Sequence, residues 1–394
     1  MHGTYRRILA PLLVTLTALA ALAASASAGG AAQPLKVGIV YTQTGPLAAY
    51  GAQYIAGLRL GLAYATRGSN KVNGRPVELT IQDDAGDPTK AVAEAKDLIG
   101  QGYKILAGTV SSGVAVQLAP IAAQNNVLYI SGPAATDAIT GINRNTFRSG
   151  RQTYQDVKAA SSYLGYGVGK RVVVFAQNSV FGQGNYLAVK AVMGDLGGQT
   201  VDKVLVPLTA TDLTPFAQQV KDKRPDLLFI AWAGTSAATM FRTLDQQGVF
   251  DAVDKVVAGL AERSTYTLYG APAAKLDLIS HYLWNAPHNK VNNWLVAKMR
   301  ARNQVPDLFT PDGFAAGQMI VHALQASPDN VGKMISSLEG WSFVGPKGQM
   351  QIRASDHALI QPMFLSKLTR ESNRWVASAT KTIKGQYVAP PEKK

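Results

Sequence analysis

The first half of the chain alternates short apolar runs with longer segments of helical periodicity. Strands are predicted at 35–42 and 77–83, and helices at 52–66 and 89–100. Strands that alternate with helices in this way form a parallel sheet with helices on both faces, because right-handed crossovers return each strand to the same direction. Four such units extend to residue 150, so the alternation predicts a first α/β lobe.

The same alternation starts again after Gly150. Four further strands, separated by helices, are predicted at 171–177, 201–207, 226–233 and 255–260. The last third of the chain adds predicted helices at 291–303, 313–326 and 331–338, strands at 348–353 and 361–368, and a frayed tail at 390–394. The repetition predicts a second lobe of the same class.

No segment between these elements is rich enough in proline, glycine or serine to link independent domains, so we expect the lobes to exchange strands across a hinge. The predicted fold class is α/β, with two doubly wound parallel-sheet lobes joined by a multi-strand hinge. The first lobe is assigned residues 35–150 and 284–345, and the second 151–283 and 346–387.

Residues 1–28 have the composition of an export signal. Arg6 and Arg7 precede an apolar run, and small residues at 24–28 offer a cleavage site before Gly29. A membrane anchor is the alternative interpretation, but the apolar run is short and rich in small residues. The chain has no cysteine, which excludes disulfides, thiolate metal sites and a lipid anchor on cysteine. We therefore expect an exported protein, periplasmic or secreted, without a lipid anchor.

Charge and histidine spacing exclude several function classes. The formal net charge is +14, and removal of the signal with its two arginines leaves 37 basic against 25 acidic residues, or +12. These basic residues are dispersed, as on a solvated surface, so we expect no nucleic-acid partner. The five histidines include no i, i+4 pair and no HExxH motif, so no metal site is expected.

A candidate site lies where a predicted strand ends at Gly108 and a helix begins after Ser111 and Ser112. The free N–H groups of a helix N-terminus, together with two hydroxyls, can bind a small carboxylate. The alternative is an ordinary serine N-cap that serves only the helix. The next strand ends before Thr136, and carboxyl ends of parallel strands meet at one sheet edge. The candidate site therefore combines Ser111, Ser112 and Thr136 with backbone groups of Val110 and Ala134.

Two loops of similar sequence begin the two lobes. Each places an aromatic residue just before a glycine and a helix: Tyr50 before Gly51, and Phe181 before Gly182. One aromatic ring from each lobe could cover an apolar ligand from opposite sides, or each ring could pack under its own helix. The chain has no G-x-S-x-G motif, so a hydrolase of that class is not expected.

From residue 35 to 368 the sequence resembles the exported binding proteins of ABC importers for leucine, isoleucine and valine. The resemblance rests on six motifs in order: YTQTGPLAAYG at 41–51, DDAGDP at 83–88, GTVSS at 108–112, PAAT at 133–136, FGQG at 181–184, and GPKG at 345–348 with IRASDH at 352–357.

The resemblance implies a type I periplasmic-binding-protein fold and a set of site residues. Ser111 and Thr136 would hold an amino-acid carboxylate, and Ala134, next to Ala135, would offer its carbonyl to the ammonium. Tyr50, Phe181 and Trp232 would line the side-chain pocket, and Glu262 would pair with the ammonium. Glu262 stands one residue after the position of the family's acid, and Phe181 replaces a common tyrosine, so the exact ligand stays open.

The resemblance also implies a function without catalysis or a cofactor. The protein would bind a branched-chain or other apolar amino acid between its lobes, as a monomer, and deliver it to the permease subunits of an ABC transporter. The alternatives are a binding protein of the same family for an aromatic acid, an amide or urea, or a ligand sensor on the same fold.

Overall fold

A computed structural model describes residues 1–2, 33–163, 168–194, 196, 200–260, 262–269 and 275–393. The predicted signal therefore lies outside the described residues, except for its first two. Within the described parts, no helix is long and apolar enough to cross a membrane.

The first sheet contains six strands near the beginning of the chain. In chain order the elements are β1 (Leu35–Tyr41), α1 (Ala48–Ala65), β2 (Lys71–Val72), β3 (Arg75–Asp83), α2 (Pro88–Gly100), β4 (Ile105–Gly108), α3 (Ser112–Gln124), β5 (Leu128–Ser131) and β6 (Thr146–Arg148). The strand order is β2-β3-β1-β4-β5-β6, and every pair is parallel except the β2–β3 hairpin.

The second sheet starts with strands that follow the same alternation. Its first elements are α4 (Thr153–Ala160), β7 (Arg171–Gln177), α5 (Val180–Gly194), β8 (Thr200–Val206), α6 (Thr214–Asp222), β9 (Leu227–Ala231), α7 (Ala237–Gln246), β10 (Lys255–Ala258) and β11 (Leu276–Ser280). The five strands β8-β7-β9-β10-β11 are parallel neighbours, as crossover helices require.

The rest of the chain contributes helices and strands to both lobes. Its elements are α8 (Lys290–Arg300), α9 (Thr310–Ala326), α10 (Val331–Leu338), β12 (Ser342–Gly345), β13 (Gly348–Ile352), β14 (Leu359–Ile360), β15 (Met363–Glu371) and β16 (Arg374–Ile383). β12, β13 and β14 form a small antiparallel sheet, whereas β15 and β16 extend the second sheet as an antiparallel edge beside β11.

Each lobe has its own apolar core. In the first, Val37 and Ile39 of β1 pack with Met319 and Ile320 of α9. In the second, alternate residues of β7 face opposite sides of the sheet, so Val173 belongs to one core cluster and Val174 to another. The chain crosses between the lobes before α4, after β11 and before β15.

One predicted boundary disagrees with the packing. β13 falls in the segment 346–387 that the sequence assigns to the second lobe, but Met350 and Ile352 pack in the first core. The reason is the tight turn between Gly345 and Gly348, which pairs β13 back onto β12 and keeps the chain on the first lobe.

The C-terminal tail also differs from the prediction. Instead of fraying, the carbonyl oxygen of Pro390 accepts a hydrogen bond from Arg353 Nη1 at 2.7 Å, and Lys393 Nζ donates to the carbonyl of Asp137 at 2.6 Å. The tail therefore crosses back onto the first lobe.

Candidate functional site

The carboxyl ends of the two sheets face each other across a cleft of about 540 Å³. We call it the interlobe cleft. Both lobes supply its walls, through residues that follow the ends of β1, β3, β4, β5, β7, β8, β9 and β10. The residues that line the interlobe cleft include Pro46, Leu47, Tyr50, Gly86, Val110, Ser111, Ser112, Pro133, Ala135, Arg151, Gln177, Phe181, Leu208, Thr235, Ser236, Leu260 and Phe309.

The two predicted serines lie in the wall of the interlobe cleft, at the N-terminus of α3. The Ser111 hydroxyl caps the helix by accepting from the backbone N–H of Val114 at 3.4 Å. The Ser112 hydroxyl accepts from the backbone N–H of Thr136 at 3.3 Å. Ser111 therefore caps the helix and also faces the cleft, and its role in binding a carboxylate stays a prediction.

A buried carboxylate fixes the loops beneath α3. Asp84 is fully buried, and its oxygens accept hydrogen bonds from the hydroxyls of Thr42 and Thr109 and from the backbone N–H of Gly86. These partners follow different strands, so one side chain ties the ends of β1, β3 and β4 together. Among the described residues, no group of three or more His, Asp or Glu side chains could hold a metal ion.

The carbonyl oxygens of the four residues from Pro133 to Thr136, in the loop after β5, already have partners inside the protein. They accept hydrogen bonds as follows: Pro133 from Arg151 Nη1 (2.7 Å), Ala134 from Arg148 Nη2 (2.7 Å), Ala135 from the backbone N–H of Thr153 (2.7 Å), and Thr136 from Arg148 Nη1 (3.0 Å). Ala134 is fully buried, and Thr136, whose hydroxyl accepts from Ala138 N at 3.2 Å, is 3% exposed. Only Pro133 and Ala135 of this row line the interlobe cleft.

The two predicted aromatic residues meet in one apolar cluster. Tyr50 from the first lobe and Phe181 from the second belong to it, together with Leu260 and Phe309. The rings of Tyr50 and Phe309 meet edge to face with centroids 4.8 Å apart. Burial raises the pKa of the Tyr50 phenol, which stays neutral. The cluster gives the cleft an apolar wall on each side.

Trp232 and Glu262 are not among the residues that line the interlobe cleft. The Trp232 ring stacks on Phe175, and its Nε1 donates to the hydroxyl of Ser236 at 3.0 Å. Glu262 is 8% exposed, and its Oε1 accepts from Gln53 Nε2 of the first lobe at 2.9 Å. Trp232 thus supports the wall from behind, and Glu262 takes part in a contact between the lobes.

Arg151 is a cleft residue that the sequence analysis missed. The residue is 1% exposed. Its Cζ lies 5.6 Å from the centre of the Phe309 ring, and its Nε lies 3.2 Å from Asp156 Oδ2. Together with the bond to Pro133, these contacts fix the guanidinium in the cleft wall. The partners come from separate segments, so no local pattern in the sequence indicates this position.

The lobes touch at the mouth of the cleft. The backbone N–H of Thr235 donates to the carbonyl of Pro46 at 3.2 Å. Gly234 has φ +84°, and a Cβ there would lie 2.9 Å from the same carbonyl, so this approach requires glycine. On another side, the backbone N–H of Arg263 donates to Asp307 Oδ2 at 3.1 Å. The conformation is one in which the lobes have closed on each other.

Comparison with known proteins gives a consistent picture. Residues 34–373 match the family described as periplasmic binding protein. The chain is 26% identical to Leu/Ile/Val-binding protein homolog 6 of Brucella melitensis, over 91% of this chain and 93% of the relative.

Two solved structures from Rhodopseudomonas palustris are also similar. An ABC-type branched-chain amino acid transporter is 31% identical, with a TM-score of 0.75 over 91% of this chain and all of that one. An ABC-transporter solute-binding protein in complex with 4-hydroxybenzoate has a TM-score of 0.81 at 21% identity, over 89% of this chain and 97% of that one.

Proposed function

Because the chain belongs to the periplasmic binding protein family, we propose that it is the exported receptor of an ABC importer and that it closes on a small apolar carboxylate. The family match confirms three predictions: the resemblance to the binding proteins of ABC importers, the two-lobed type I fold, and a binding protein that is not an enzyme. The chain is an ABC-transporter solute-binding protein, and the identity of its solute is the proposal.

One observation carries this proposal. Two serines at the N-terminus of a helix and one aromatic residue from each lobe line the same cleft. The serines and helix N–H groups suit a carboxylate, while Tyr50 and Phe181 suit an apolar body. A ligand that touches both lobes stabilises their closed arrangement, because it binds that arrangement better than an open one.

Two ligand classes suit the interlobe cleft. The names of the relatives at 26% and 31% identity support a branched-chain or other apolar amino acid. The alternative is an apolar acid without an amine, such as an aromatic acid. The 4-hydroxybenzoate complex is only 21% identical and supports the fold alone, so the choice depends on the residues of the cleft.

The proposed receptor acts outside the cytoplasm as a monomer, after removal of residues 1–28 and without a lipid anchor. Its proposed partners are the permease subunits of the importer, which receive the solute from the closed form. A ligand sensor on the same fold would bind the same solute but would not be needed for uptake.

The test combines ligand identification with a measurement of shape. Native mass spectrometry of the purified protein should detect a retained small carboxylate, and small-angle scattering should show compaction when that compound is added back. Deletion of the gene should abolish uptake of the compound. Loss of uptake would support a receptor, whereas unchanged uptake with intact binding would indicate a sensor. Binding without compaction would contradict closure.

A further inference from the structure

We propose that Arg151 makes the interlobe cleft selective for solutes that carry a carboxylate and no ammonium group, an inference that rests on the proposed function. The ligand class would then be apolar monocarboxylates, aliphatic or aromatic, in place of amino acids.

The charge of the cleft comes from its lining residues. Among the described residues that line it, Arg151 is the only one with a charged side chain. The other polar groups that reach the cleft are hydroxyls, amides and backbone groups. Its partner Asp156 is not among the lining residues, so the guanidinium is the charge that a bound solute would meet, and it favours an anion over a second cation.

The Arg151 guanidinium is held in one position by three contacts. Nη1 is held by Pro133 O, Nε lies beside Asp156 Oδ2, and the group sits over the Phe309 ring. The segment from Pro133 to Thr136 lies between the guanidinium and the Ser112 hydroxyl, because Pro133 O accepts from Arg151 Nη1 and the Thr136 N–H donates to that hydroxyl. A carboxylate bound at the N-terminus of α3 would therefore share this end of the cleft with Arg151, where charge-assisted hydrogen bonds are strong.

The described residues of the cleft wall offer an ammonium no carboxylate, and the nearby carbonyls already accept a hydrogen bond. The carbonyls of Pro133, Ala134, Ala135 and Thr136 each accept a hydrogen bond from within the protein. Glu262 accepts from Gln53 and is not part of the cleft wall. The acids near Arg151 are Asp156 and Asp312; both interact with the guanidinium, and neither is among the residues that line the cleft. An ammonium in this cleft would therefore lie near the guanidinium with no carboxylate among the described lining residues to offset its charge, and a buried unpaired charge is costly.

The rest of the cleft suits an apolar body. Val110 and Phe309 of the first lobe and Phe181 and Leu260 of the second face the same space. A hydrocarbon chain or an aromatic ring can fill this space with its carboxylate toward Arg151. Aliphatic and aromatic acids share this chemistry, so the experiment includes one compound of each kind.

The experiment uses two pairs of compounds that differ only in the amine: 4-methylpentanoate with L-leucine, and 3-phenylpropanoate with L-phenylalanine. Calorimetry on the full mature protein should give at least about 100-fold tighter binding for the acid in the pair that fits. An amino acid that binds as tightly as its acid would overturn the inference and leave the proposed function intact. If none of the four compounds binds, the proposed apolar carboxylate itself is wrong.

Substitutions then test the role of the residue. Arg151→Met should weaken binding of the acid at least tenfold and reduce its preference over the amino acid, whereas Arg151→Lys should keep the preference. Arg353→Gln is the matched control, because Arg353 pairs with Asp356 and is not in the cleft wall. An unchanged preference in folded Arg151→Met would contradict the proposal. If that variant does not fold, the double variant with Asp156→Asn, which removes the acid paired with Arg151, and Arg151→Lys decide the question.

Discussion

The hydroxyl oxygen of Tyr50 in the first lobe accepts a hydrogen bond at 3.1 Å from the backbone N–H of Gly234 in the second. The same tyrosine lines the interlobe cleft and packs against Phe309. One side chain therefore contacts the space for the ligand and also connects the two lobes. This link predicts that ligand binding and closure respond together to changes at Tyr50.

Tyr50→Phe should weaken ligand binding by about two- to tenfold. The substitution keeps the ring but removes the acceptor of the Gly234 N–H, and a hydrogen bond of this kind contributes about 0.5 to 1.5 kcal/mol. Calorimetry and scattering on the same samples would measure affinity and closure. Tyr387→Phe, at an exposed position, is the control. Full affinity and full compaction in Tyr50→Phe would show that the link does not contribute.

Ser111→Ala should reduce both affinity and stability. Loss of a hydrogen bond to a carboxylate should cost about tenfold to a hundredfold in affinity, and loss of the helix cap about 1 kcal/mol in unfolding free energy. Asn330→Ala removes a comparable cap from α10, away from the interlobe cleft. It should lower stability alone. If both variants lose only stability, Ser111 is a cap and not a ligand-binding residue.

Glu262→Gln should change affinity by less than about threefold, and equally for 4-methylpentanoate and leucine. A glutamine keeps an oxygen that can accept from Gln53 Nε2, so the contact between the lobes survives. Gln53→Ala, which also removes the acceptor for the Phe309 N–H, should have the larger effect. A large loss confined to leucine would mean that Glu262 pairs with an ammonium, as the family resemblance implies.

Ionisation of Asp307 should lower the free energy of unfolding as pH rises from about 4 to 7. Burial raises the pKa of Asp307 from 3.8 to about 7, although its carboxylate accepts from the backbone N–H groups of Arg263 and Leu308. The folded state then holds this proton to a higher pH than the unfolded state, so the contribution is present below the ordinary pKa and lost on the way to pH 7.

Unfolding free energies of the wild type and Asp307→Asn, measured across this pH range, would test the effect. The difference between them should change by about 4 kcal/mol at most, since one pKa unit corresponds to about 1.4 kcal/mol. Asp329→Asn, at a highly exposed side chain, serves as the control. Parallel curves for the wild type and Asp307→Asn would mean that Asp307 ionises normally.

The exported protein should begin at Gly29. Ala26 and Ala28 fit the small-residue rule for cleavage, and the absence of cysteine leaves no site for a lipid on the new N-terminus. Mass spectrometry of protein from the extracytoplasmic fraction would determine the mature end. An intact Met1 in that fraction would show that the segment is retained.

Much of the fold could be predicted because each parallel strand is a short apolar run. The predicted strand at 171–177 and helix at 331–338 coincide with β7 and α10. β11 was missed because Asp277 interrupts its pattern; in the structure this acid is buried between Lys255 and Lys367. β16 was missed because its many polar residues suit an exposed sheet edge.

The location of a site residue could be predicted where a single local sequence motif identifies that residue. Ser111, Ser112, Tyr50 and Phe181 each stand beside a strand end and a helix start, and the structure places all four in the interlobe cleft. The ligand-binding roles of these four residues, and of Val110, Ala134, Ala135, Thr136, Trp232 and Glu262, stay predictions. Arg151 could not be found in this way, because only folding brings its partners together.

The three crossings between the lobes determine the order in which the molecule can assemble. α9 packs along α1 in the first lobe, and β15 completes the second sheet beside β11. Neither lobe can therefore finish folding until most of the chain has been synthesised, because each lacks a late segment. Until these late segments are synthesised, the apolar surfaces of each lobe stay exposed to solvent. A chain that crossed a membrane unfolded would therefore complete its two lobes only when translocation was almost finished.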